Sequence, residues 1–564
     1  MTPPAALRFN LIDNPWIVVR RLDGAVAELS LRQAFREADS IREVGGELPT
    51  QSFAITRLLL AILYRATSDD RSATGWETAD WAEWWRDGLP LDLIEEYLDF
   101  FADRFDLFHP ERPFFQVAAL RTARDEMKDT GALILDLPSN NRLFTTRSGP
   151  ASLRLSFAEA ARWLVNAQAF DPSGIKSGAV GDPRVKGGRG YPIGLAWAGN
   201  LGGVMIEGDT LRETLLLNLV LPGESGVVLD AKADVPPWEE LECDGPAPRD
   251  GLYPRGPVRL FTWQARRIRL IPDGDRVVGC ILANGDELKP KNQHHVEPMT
   301  AWRYSEPQSK KLKTPTYMPR AHQADRAFWR GIGALLPQLD STRTKDGHPH
   351  ALHPAILEAL ATRSGGIDST YRLRVRAVGV AYGSNNSVVD DVIDDRIVMQ
   401  LALLESTNAE LAAEATNAVS LADEGVFALR NLAGNLVRAA GGDGESARAE
   451  AGAAAYARLD PPYRRWLASL GDGTLPQAAM DAWKTAARGI LRELGDELIR
   501  DAGPAAWAGR EVRGRAGMEL VTTARAAHWF AEALRRTFRT SAEAAARLEA
   551  QIHTDEPTGE EPAA

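Results

Sequence analysis

The segment Val426-Phe-Ala-Leu-Arg-Asn-Leu-Ala-Gly-Asn-Leu436 has the periodicity of an amphipathic helix. Val426, Leu429, Leu432 and Leu436 recur at intervals of three or four residues, which places them on one helical face. Further stripes of this kind occur in the same part of the chain, at Ile393–Leu404, Met480–Leu498 and Ala527–Phe538. Four amphipathic segments in succession predict a C-terminal four-helix bundle.

Glycine and proline clusters between these stripes predict where the helices end. The clusters are Gly441-Gly-Asp-Gly444, Asp460-Pro-Pro462, Gly471-Asp-Gly473 and Gly503-Pro504. We expect the bundle to occupy residues 388–552. Residues 553–564 are acidic and contain prolines, which is typical of a disordered tail.

Residues 1–387 have a different pattern, in which short strands, helices and long loops alternate. Trp16–Arg21, followed by Asp23-Gly24, predicts a strand that enters a hairpin, and the apolar face of Ser52–Ala66 predicts a helix. Three more strands are predicted at Val258–Ile271, Arg276–Asn284 and Tyr371–Tyr382. The predicted fold class is therefore α+β, with a mixed α/β N-terminal domain before the bundle.

Composition excludes several classes of protein. The 564 residues carry a net charge of −11, which argues against a protein that coats nucleic acid over its whole surface. The start of the chain has no apolar signal core, and no run of 18 apolar residues predicts a membrane span. Cys243 and Cys280 are too few for a disulfide framework. We expect a cytoplasmic protein.

Candidate metal ligands occur in two clusters, and each has an ordinary structural explanation. Four carboxylates form two i, i+4 pairs that could hold Mg²⁺ on a helix: Asp390, Asp391, Asp394 and Asp395. At the start of a predicted helix, however, acidic residues are favoured by the helix dipole. Three histidines share one loop, His348, His350 and His353, without a cysteine nearby to complete a zinc site. No Walker loop, nucleophile elbow or zincin motif is present. We predict no catalysis, no metal and no cofactor.

Four loops have the composition of nucleic-acid contacts. In the first, ten of the thirty residues 174–203 are glycine, and Lys176, Arg184, Lys186 and Arg189 lie among them. Glycine allows close backbone approach, and cations attract phosphate. The other loops are the polar segment 140–148, the basic patch 310–313 and the asparagine-rich turn 382–387. Each of these three, taken alone, is also compatible with an ordinary solvated loop, face or turn.

The order and spacing of several segments resemble the CasA family, the large subunits of type I-E CRISPR Cascade surveillance complexes. The resemblance is carried by Phe9-Asn-Leu-Ile-Asp-Asn-Pro-Trp-Ile-Val-Val19, Pro110-Glu-Arg-Pro-Phe-Phe-Gln-Val117, the glycine-rich segment, Leu211-Arg-Glu-Thr-Leu-Leu-Leu-Asn-Leu-Val220, residues 382–387 and the closing helices. It covers nearly the whole chain. The fold it implies is a mixed α/β domain followed by a four-helix bundle.

The resemblance also implies which residues contact DNA. The loop that senses the protospacer-adjacent motif corresponds to Asn140, Asn141, Phe144, Thr145, Thr146 and Arg147. The glycine loop that follows the minor groove corresponds to Ser173, Gly174 and Lys176, and the wedge hairpin to Asn385, Asn386 and Ser387. Lys310 and Lys311 are the candidates for the minor-groove lysine. Asparagine leads the wedge here, where some relatives have the longer glutamine.

The implied function is that of a non-catalytic subunit. It recognises the protospacer-adjacent motif in double-stranded DNA, promotes duplex opening and R-loop formation, and helps recruit the helicase–nuclease in antiviral defence. The implied partners are the other Cascade proteins, the CRISPR guide RNA, double-stranded target DNA and the helicase–nuclease, and no membrane is involved. Two alternatives remain open from the residues themselves: a metal-dependent nuclease that uses Asp390–Asp395, and a pure protein scaffold.

Overall fold

A computed structural model of the chain describes residues 7–68, 78–137, 145, 147, 149–240, 245–249, 251–339, 341–363, 366–514 and 517–547. The α-helices are α1 Leu31–Arg36, α2 Pro49–Thr67, α3 Thr78–Asp87, α4 Leu91–Phe100, α5 Phe157–Phe170, α6 Leu211–Leu217, α7 Pro257–Phe261, α8 Glu306–Leu312, α9 Ala355–Thr362, α10 Ala409–Ala440, α11 Glu445–Ser469, α12 Pro476–Arg500, α13 Pro504–Ala508 and α14 Thr523–Thr537.

The strands are β1 Ile17–Arg21, β2 Val26–Leu29, β3 Ile41–Val44, β4 Leu155–Ser156, β5 Lys176–Ser177, β6 Arg189–Gly190, β7 Gly203–Glu207, β8 Arg266–Asp273, β9 Arg276–Asn284, β10 Trp302–Tyr304, β11 Tyr317–Pro319, β12 Ala351–Leu352, β13 Arg372–Tyr382, β14 Val389–Gln400, β15 Arg510–Gly514 and β16 Gly517–Val521. Helices and several small sheets share the chain, so the α+β class is confirmed.

The chain divides into two compact units. The first comprises Met1–Phe328, Asp340–Asp368 and Leu373–Ile397, and the second comprises Trp329–Leu339, Ser369–Arg372 and Val398–Ala564. The sequence pattern places the change at residue 388. The difference arises because residues 389–400 form strand β14, most of which belongs to the first unit, and the first long helix begins only at Ala409.

Helix α2 forms the core of the first unit. It is buried on almost all sides, which accounts for its lack of a polar face. Its Arg57 donates to both carboxylate oxygens of Glu297, at 2.9 and 2.8 Å, and both side chains are almost fully buried. Trp197 donates to the same carboxylate at 2.7 Å, and the Arg57 guanidinium lies 4.1 Å from the ring centre of Phe261. Segments that are distant in sequence therefore meet at one buried charge pair.

Two sheets place the loops that the sequence singles out. Strand β13 pairs antiparallel with β7 and lies between β7 and β14 in one sheet, so the predicted hairpin at 382–387 is confirmed. In a second sheet, β8 and β9 pair antiparallel along their whole length, and β5 joins β9 through Ser177 and Ala283. The strand predicted over Val258–Ile271 is wrong in its first part, because Pro257–Phe261 is helical and the strand begins at Arg266.

Residues 389–400 do not form a helix, contrary to the sequence pattern, and only Leu401–Leu404 make a short 3-10 turn. Val389–Gln400 is a strand, in which apolar residues such as Val389 and Ile397 are buried. An i, i+4 spacing places two side chains about 6 Å apart along a helix but about 13 Å apart along a strand. The Asp390–Asp395 carboxylates therefore do not form the paired ligand set that a helix would create.

The second unit contains four long helices, α10, α11, α12 and α14. Trp483 of α12 donates to the Ala418 carbonyl of α10 at 3.0 Å, and Tyr463 of α11 donates to the Ala415 carbonyl at 2.9 Å. Gly425 leaves space on α10: an added Cβ would lie 2.5 Å from Leu491. The buried aromatic side chains and the glycine at residue 425 thus allow the helices to pack closely.

The break predicted at Asp460-Pro-Pro462 is wrong, because α11 continues through both prolines. The Asp460 carboxylate accepts from Trp329 at 2.9 Å, and the next turn places Tyr463 against Trp329, with ring centres 4.3 Å apart. This packing compensates for the backbone hydrogen bonds that proline cannot make.

Glu297→Gln should strongly destabilise the first unit. The substitution leaves the buried Arg57 guanidinium without its counter-charge, and breaking a buried pair in this way costs about 3–5 kcal/mol. The measurement is the shift in thermal unfolding midpoint by calorimetry. Glu306→Gln is the matched control, because Glu306 pairs with Lys310 on the exposed surface, and its midpoint should hardly move. Equal shifts for the two variants would contradict the role assigned to the buried pair.

Candidate nucleic-acid interface

A buried cluster of charges fixes the start of the glycine-rich segment. Asp171 follows α5, and its Oδ2 accepts from Arg266 Nε and from Lys176 Nζ, each at 2.5 Å. Arg266 also donates to the carbonyls of Asp171, Pro172 and Gly194, at 3.2, 3.1 and 2.9 Å. All three charged side chains are nine-tenths or more buried. The path of residues 171–176 is therefore fixed from inside the protein.

The glycine loop and the asparagine hairpin are in direct contact. The Ser173 amide donates to the Asn386 carbonyl at 2.8 Å. Gly174 has φ +144°, and a Cβ at that position would lie 4.0 Å from the Ser387 Cβ. The structure thus brings together two segments that are about 210 residues apart in sequence, and the resemblance assigned both to DNA contact.

The tip of the hairpin is exposed and has a left-handed backbone. Asn385 and Asn386 have φ of 54° and 56°, a conformation that asparagine tolerates better than most residues. Residues 384–387 are exposed. Among the described residues, nothing hydrogen-bonds to the Asn385 or Asn386 side-chain amides, although each amide has two donors and an acceptor.

The base of the hairpin is fixed by Tyr382. Its buried hydroxyl donates to the Phe170 carbonyl at 2.5 Å, and burial raises the Tyr382 pKa well above its ordinary value. The ring lies so close to Gly199 that an added Cβ there would be 2.6 Å from the hydroxyl. The exposed tip therefore extends from a rigid base.

Two cations of the glycine-rich segment are not where the sequence led us to expect them. Lys176 is buried against Asp171, rather than exposed toward a ligand. Arg184 donates to both oxygens of Asp182 and to the carbonyls of Gly285 and Asn284. Burial and an ion pair hold Lys176 inside the structure, whereas Arg184 is half-buried and held by its ion pair and backbone contacts. No sequence pattern marks Asp171 as the partner of Lys176.

The exposed cations of the segment are Lys186 and Arg189. They flank Gly187 and Gly188, which have φ of 57° and 73°, and their backbones exchange hydrogen bonds of 3.1 Å across this tight turn. Both side chains are exposed, and among the described residues neither has an ion-pair partner. The sequence analysis counts both among the cations of this segment, but the DNA contacts implied by the resemblance here are Ser173, Gly174 and Lys176 and include neither residue. The signal was available, because Gly-Gly between polar residues is typical of a type I′ hairpin turn.

The predicted motif-sensing loop falls largely outside the described residues. This applies to Asn140, Asn141, Phe144 and Thr146. Thr145 is described, and its hydroxyl accepts from the Arg147 amide at 3.2 Å. The Arg147 guanidinium pairs with Glu47 at 2.5 Å and donates to the Ser152 carbonyl at 2.9 Å. Arg147 therefore anchors the end of the loop, instead of presenting a free cation.

Lys310 and Lys311 are exposed on the short helix α8. Lys310 pairs with Glu306 one turn earlier at 2.7 Å, which raises the Lys310 pKa and lowers that of Glu306. Lys310 also lines an open cleft of about 860 Å³ together with Arg303, Lys313, Arg343 and Lys345. Five cations and two carboxylates, Glu306 and Asp346, line this cleft, so its charge balance favours an anion.

Asp394 and Asp395 of β14 have structural partners. Asp394 accepts from Arg376 at 2.6 and 2.9 Å, and Asp395 accepts from the Phe328 amide at 2.9 Å. The described residues contain no cluster of three histidine, cysteine, aspartate or glutamate side chains that could hold a metal ion. No helix in the described part of the chain is long and apolar enough to cross a membrane.

The fold and the paired loops define an α+β protein in which a glycine loop supports an exposed asparagine hairpin. The family model described as CRISPR-associated protein Cse1 matches residues 10–494. The chain therefore belongs to the Cse1 family of CRISPR-associated proteins.

Individual relatives agree with this assignment. The CRISPR-associated protein CasA/Cse1 of Thermus thermophilus is 33% identical over 339 residues, which are 59% of this chain and 61% of that protein, less than two thirds of its length. The crystal structure of Thermobifida fusca Cse1 is 42% identical and covers 95% of this chain and 99% of that one, with a TM-score of 0.86. A chain of a CRISPR RNA-guided surveillance complex is 19% identical, with a TM-score of 0.68 over 93% of this chain and 99% of that one, which is a likeness of fold.

The burial of Lys176 predicts a pH dependence of stability. Burial lowers the Lys176 pKa below the ordinary 10.5. Between the lowered value and 10.5, the unfolded chain binds more protons at this residue than the folded protein does, so stability rises with pH. The wild-type protein should therefore gain stability relative to Lys176→Met as pH rises toward 10.5, measured as the difference in thermal midpoint. Lys311→Met, which removes the same charge from an exposed position, is the control for loss of charge alone. A difference between wild type and Lys176→Met that stays flat over this pH range would contradict the buried placement.

Proposed function

We propose that this protein is a non-catalytic subunit of a type I-E Cascade that recognises the protospacer-adjacent motif in double-stranded DNA. In this role it promotes duplex opening and R-loop formation, and it helps recruit the helicase–nuclease in antiviral defence. The observation that carries the proposal is the 2.8 Å hydrogen bond from the Ser173 amide to the Asn386 carbonyl. This hydrogen bond joins the exposed hairpin tip to the glycine loop, so the two loops form one surface.

The chemistry of the two loops suits a minor-groove contact. Glycine at residue 174 leaves no side chain between the backbone and a ligand. The amides of Asn385 and Asn386 can donate to and accept from base edges once a pair is separated. Minor-groove readout distinguishes A·T from G·C but hardly A·T from T·A, so we expect several related motifs to be accepted. The guide supplies the long sequence readout by base pairing.

The proposed cationic contacts are revised by the structure. Lys186 and Arg189 are exposed at a turn of the glycine-rich segment, so we assign phosphate contact to them in place of Lys176. Lys310 and Lys311 remain the candidates for the minor-groove lysine, and the cleft beside Lys310 adds further positive charge. The described part of the motif-sensing loop contributes Thr145, with Arg147 as its anchor.

The proposed partners follow from the family and the fold. The surveillance-complex chain that shares this fold belongs to an RNA-guided assembly. We propose the same setting here, with other Cascade proteins, guide RNA, double-stranded target DNA and the helicase–nuclease as partners. We also propose that α10, α11, α12 and α14 form the four-helix bundle of this architecture, after a mixed α/β N-terminal domain.

Removing the wedge side chains should slow duplex opening. Asn385→Gly/Asn386→Gly deletes both amides while permitting the positive φ of each residue. Opening base steps costs a few kcal/mol, so losing the wedge should slow R-loop formation by about tenfold or more. The measurement is the rate of R-loop formation by the reconstituted complex on a duplex that carries the motif.

Two controls separate the wedge from general damage. A duplex whose first base pairs beside the motif are mismatched needs no wedge, and it should restore the rate of the glycine variant. Complex assembly, followed by size-exclusion chromatography, should be unchanged. A glycine variant that opens the fully paired duplex at the wild-type rate would refute the wedge role.

Charge substitutions should distinguish surface contacts from internal anchors. For duplex DNA, the slope of log K against log salt changes by about 0.9 for each phosphate that a cation no longer neutralises. Lys186→Gln/Arg189→Gln should therefore reduce the slope by about 2. Lys176→Met, the matched internal control, should leave the slope unchanged. A reduced slope for Lys176→Met, with no effect of the double substitution, would reverse this assignment.

A further inference from the structure

The second unit contains a groove lined by arginines that the proposed function does not use. It lies between α12 and α14 and extends to the residues after α14, with a volume of about 510 Å³. Its cationic residues are Arg488, Arg535, Arg536, Arg539 and Arg547. The remaining lining residues are two carboxylates, Glu532 and Glu543.

Most of this positive charge is not neutralised. Arg488 pairs with Glu543 at 2.7 Å, which lowers the Glu543 pKa. The Glu532 carboxylate lies 3.7 Å from the His528 ring. Among the described residues, none of the other four arginines has an ion-pair partner. Elsewhere in this acidic protein many arginines are paired, including Arg20, Arg32 and Arg36. Unpaired like charges repel, so this cluster is unfavourable without an anionic ligand.

The shape and composition of the groove identify the class of anion. Guanidinium groups bind phosphate oxygens in a two-pronged geometry. Arg535 and Arg536 lie in the last turn of α14, and Arg539 lies two residues beyond the end of that helix at Thr537. A nucleic-acid strand presents successive phosphates along its length, so it can meet several cations at once. Arg488 and Arg547 extend the row from two other parts of the unit. Several spaced cations fit a polymer of phosphates better than a single small anion.

The described residues that line the groove do not read bases. They include no aromatic side chain on which a base could stack and no side-chain amide that could pair with a base edge. We therefore propose that this arginine groove binds the phosphate backbone of a nucleic-acid strand independently of its sequence. It is a second nucleic-acid contact, in a different unit from the glycine loop and the hairpin, and it does not depend on the wedge proposal.

The test compares two triple variants of the full-length chain. Arg535→Gln/Arg536→Gln/Arg539→Gln removes the centre of the groove. Arg430→Gln/Arg465→Gln/Arg500→Gln is the control: it changes the charge equally on α10, α11 and α12, at exposed arginines that lie outside the groove and have no ion-pair partner among the described residues. The probe is a labelled single-stranded DNA of mixed sequence, and its binding is followed by fluorescence anisotropy over a range of salt concentrations.

The groove variant should lose about tenfold or more in affinity, and its salt slope should fall by about 2, at about 0.7 for each single-strand phosphate contact. The control variant should stay close to wild type, and a probe of different base composition should give the same result. Equal losses in both variants would mean a net-charge effect and would overturn the proposal, as would displacement of the probe by millimolar inorganic phosphate.

The main competing occupant is the acidic C-terminal segment, residues 553–564, which begins six residues after Arg547. If the groove binds nucleic acid in the full chain, deletion of this segment should leave probe affinity within about twofold. A large gain on deletion, absent when the three groove arginines are also replaced, would assign the groove to the tail and overturn the proposal. If the groove variant instead lost complex assembly while its probe binding stayed unchanged, the groove would be assigned to an acidic protein partner. That result would also overturn the proposal.

Discussion

The Asp171 carboxylate is the contact on which the candidate interface depends. One buried oxygen accepts from both Arg266 and Lys176, so strand β8 and the glycine loop share a counter-charge. Removing charges from water is expensive, and such clusters are retained where they fix one arrangement among several. Here the arrangement orients the Ser173 amide toward the hairpin. A loop rich in glycine would otherwise sample many conformations, because glycine loses the most backbone freedom on folding.

The protein separates cations that support the fold from cations that remain available. Arg57, Arg147 and Lys176 are all held by carboxylates inside the first unit. In a chain with 77 acidic and 66 basic residues, pairing is the ordinary fate of a cation. Some exposed cations have no ion-pair partner among the described residues, and they include Lys186 and Arg189 at the turn of the glycine-rich segment and arginines of the arginine groove. This distribution explains how an acidic protein can have localised anion-binding surfaces.

The sequence predicts secondary structure correctly where local chemistry determines it, and incorrectly where tertiary contacts determine it. The asparagine-rich turn was predictable because few residues accept a left-handed backbone, and the long helices were predictable from their periodicity. The stripe at Ile393–Leu404 was misassigned because short apolar runs fit a helix and a strand equally well. The prolines inside α11 predict a break in the helix, because the packing of Tyr463 against Trp329 cannot be seen in the sequence. At the candidate site, charged residues could be identified, but which of them were buried could not.

In the proposed function, the glycine loop and the asparagine hairpin act together as one structural unit. Separating base pairs costs a few kcal/mol, so a hairpin tip that does this must be held firmly. The tip is also strained, because two adjacent non-glycine residues have positive φ. Such strain persists only when the surroundings over-determine it. The Ser173 amide holds the tip of the hairpin through its hydrogen bond to the Asn386 carbonyl. The buried Tyr382 hydroxyl holds the base of the hairpin through its hydrogen bond to the end of α5. In the proposed function, the glycine loop therefore has two roles: its backbone approaches the groove, and it keeps the wedge from bending when the duplex resists.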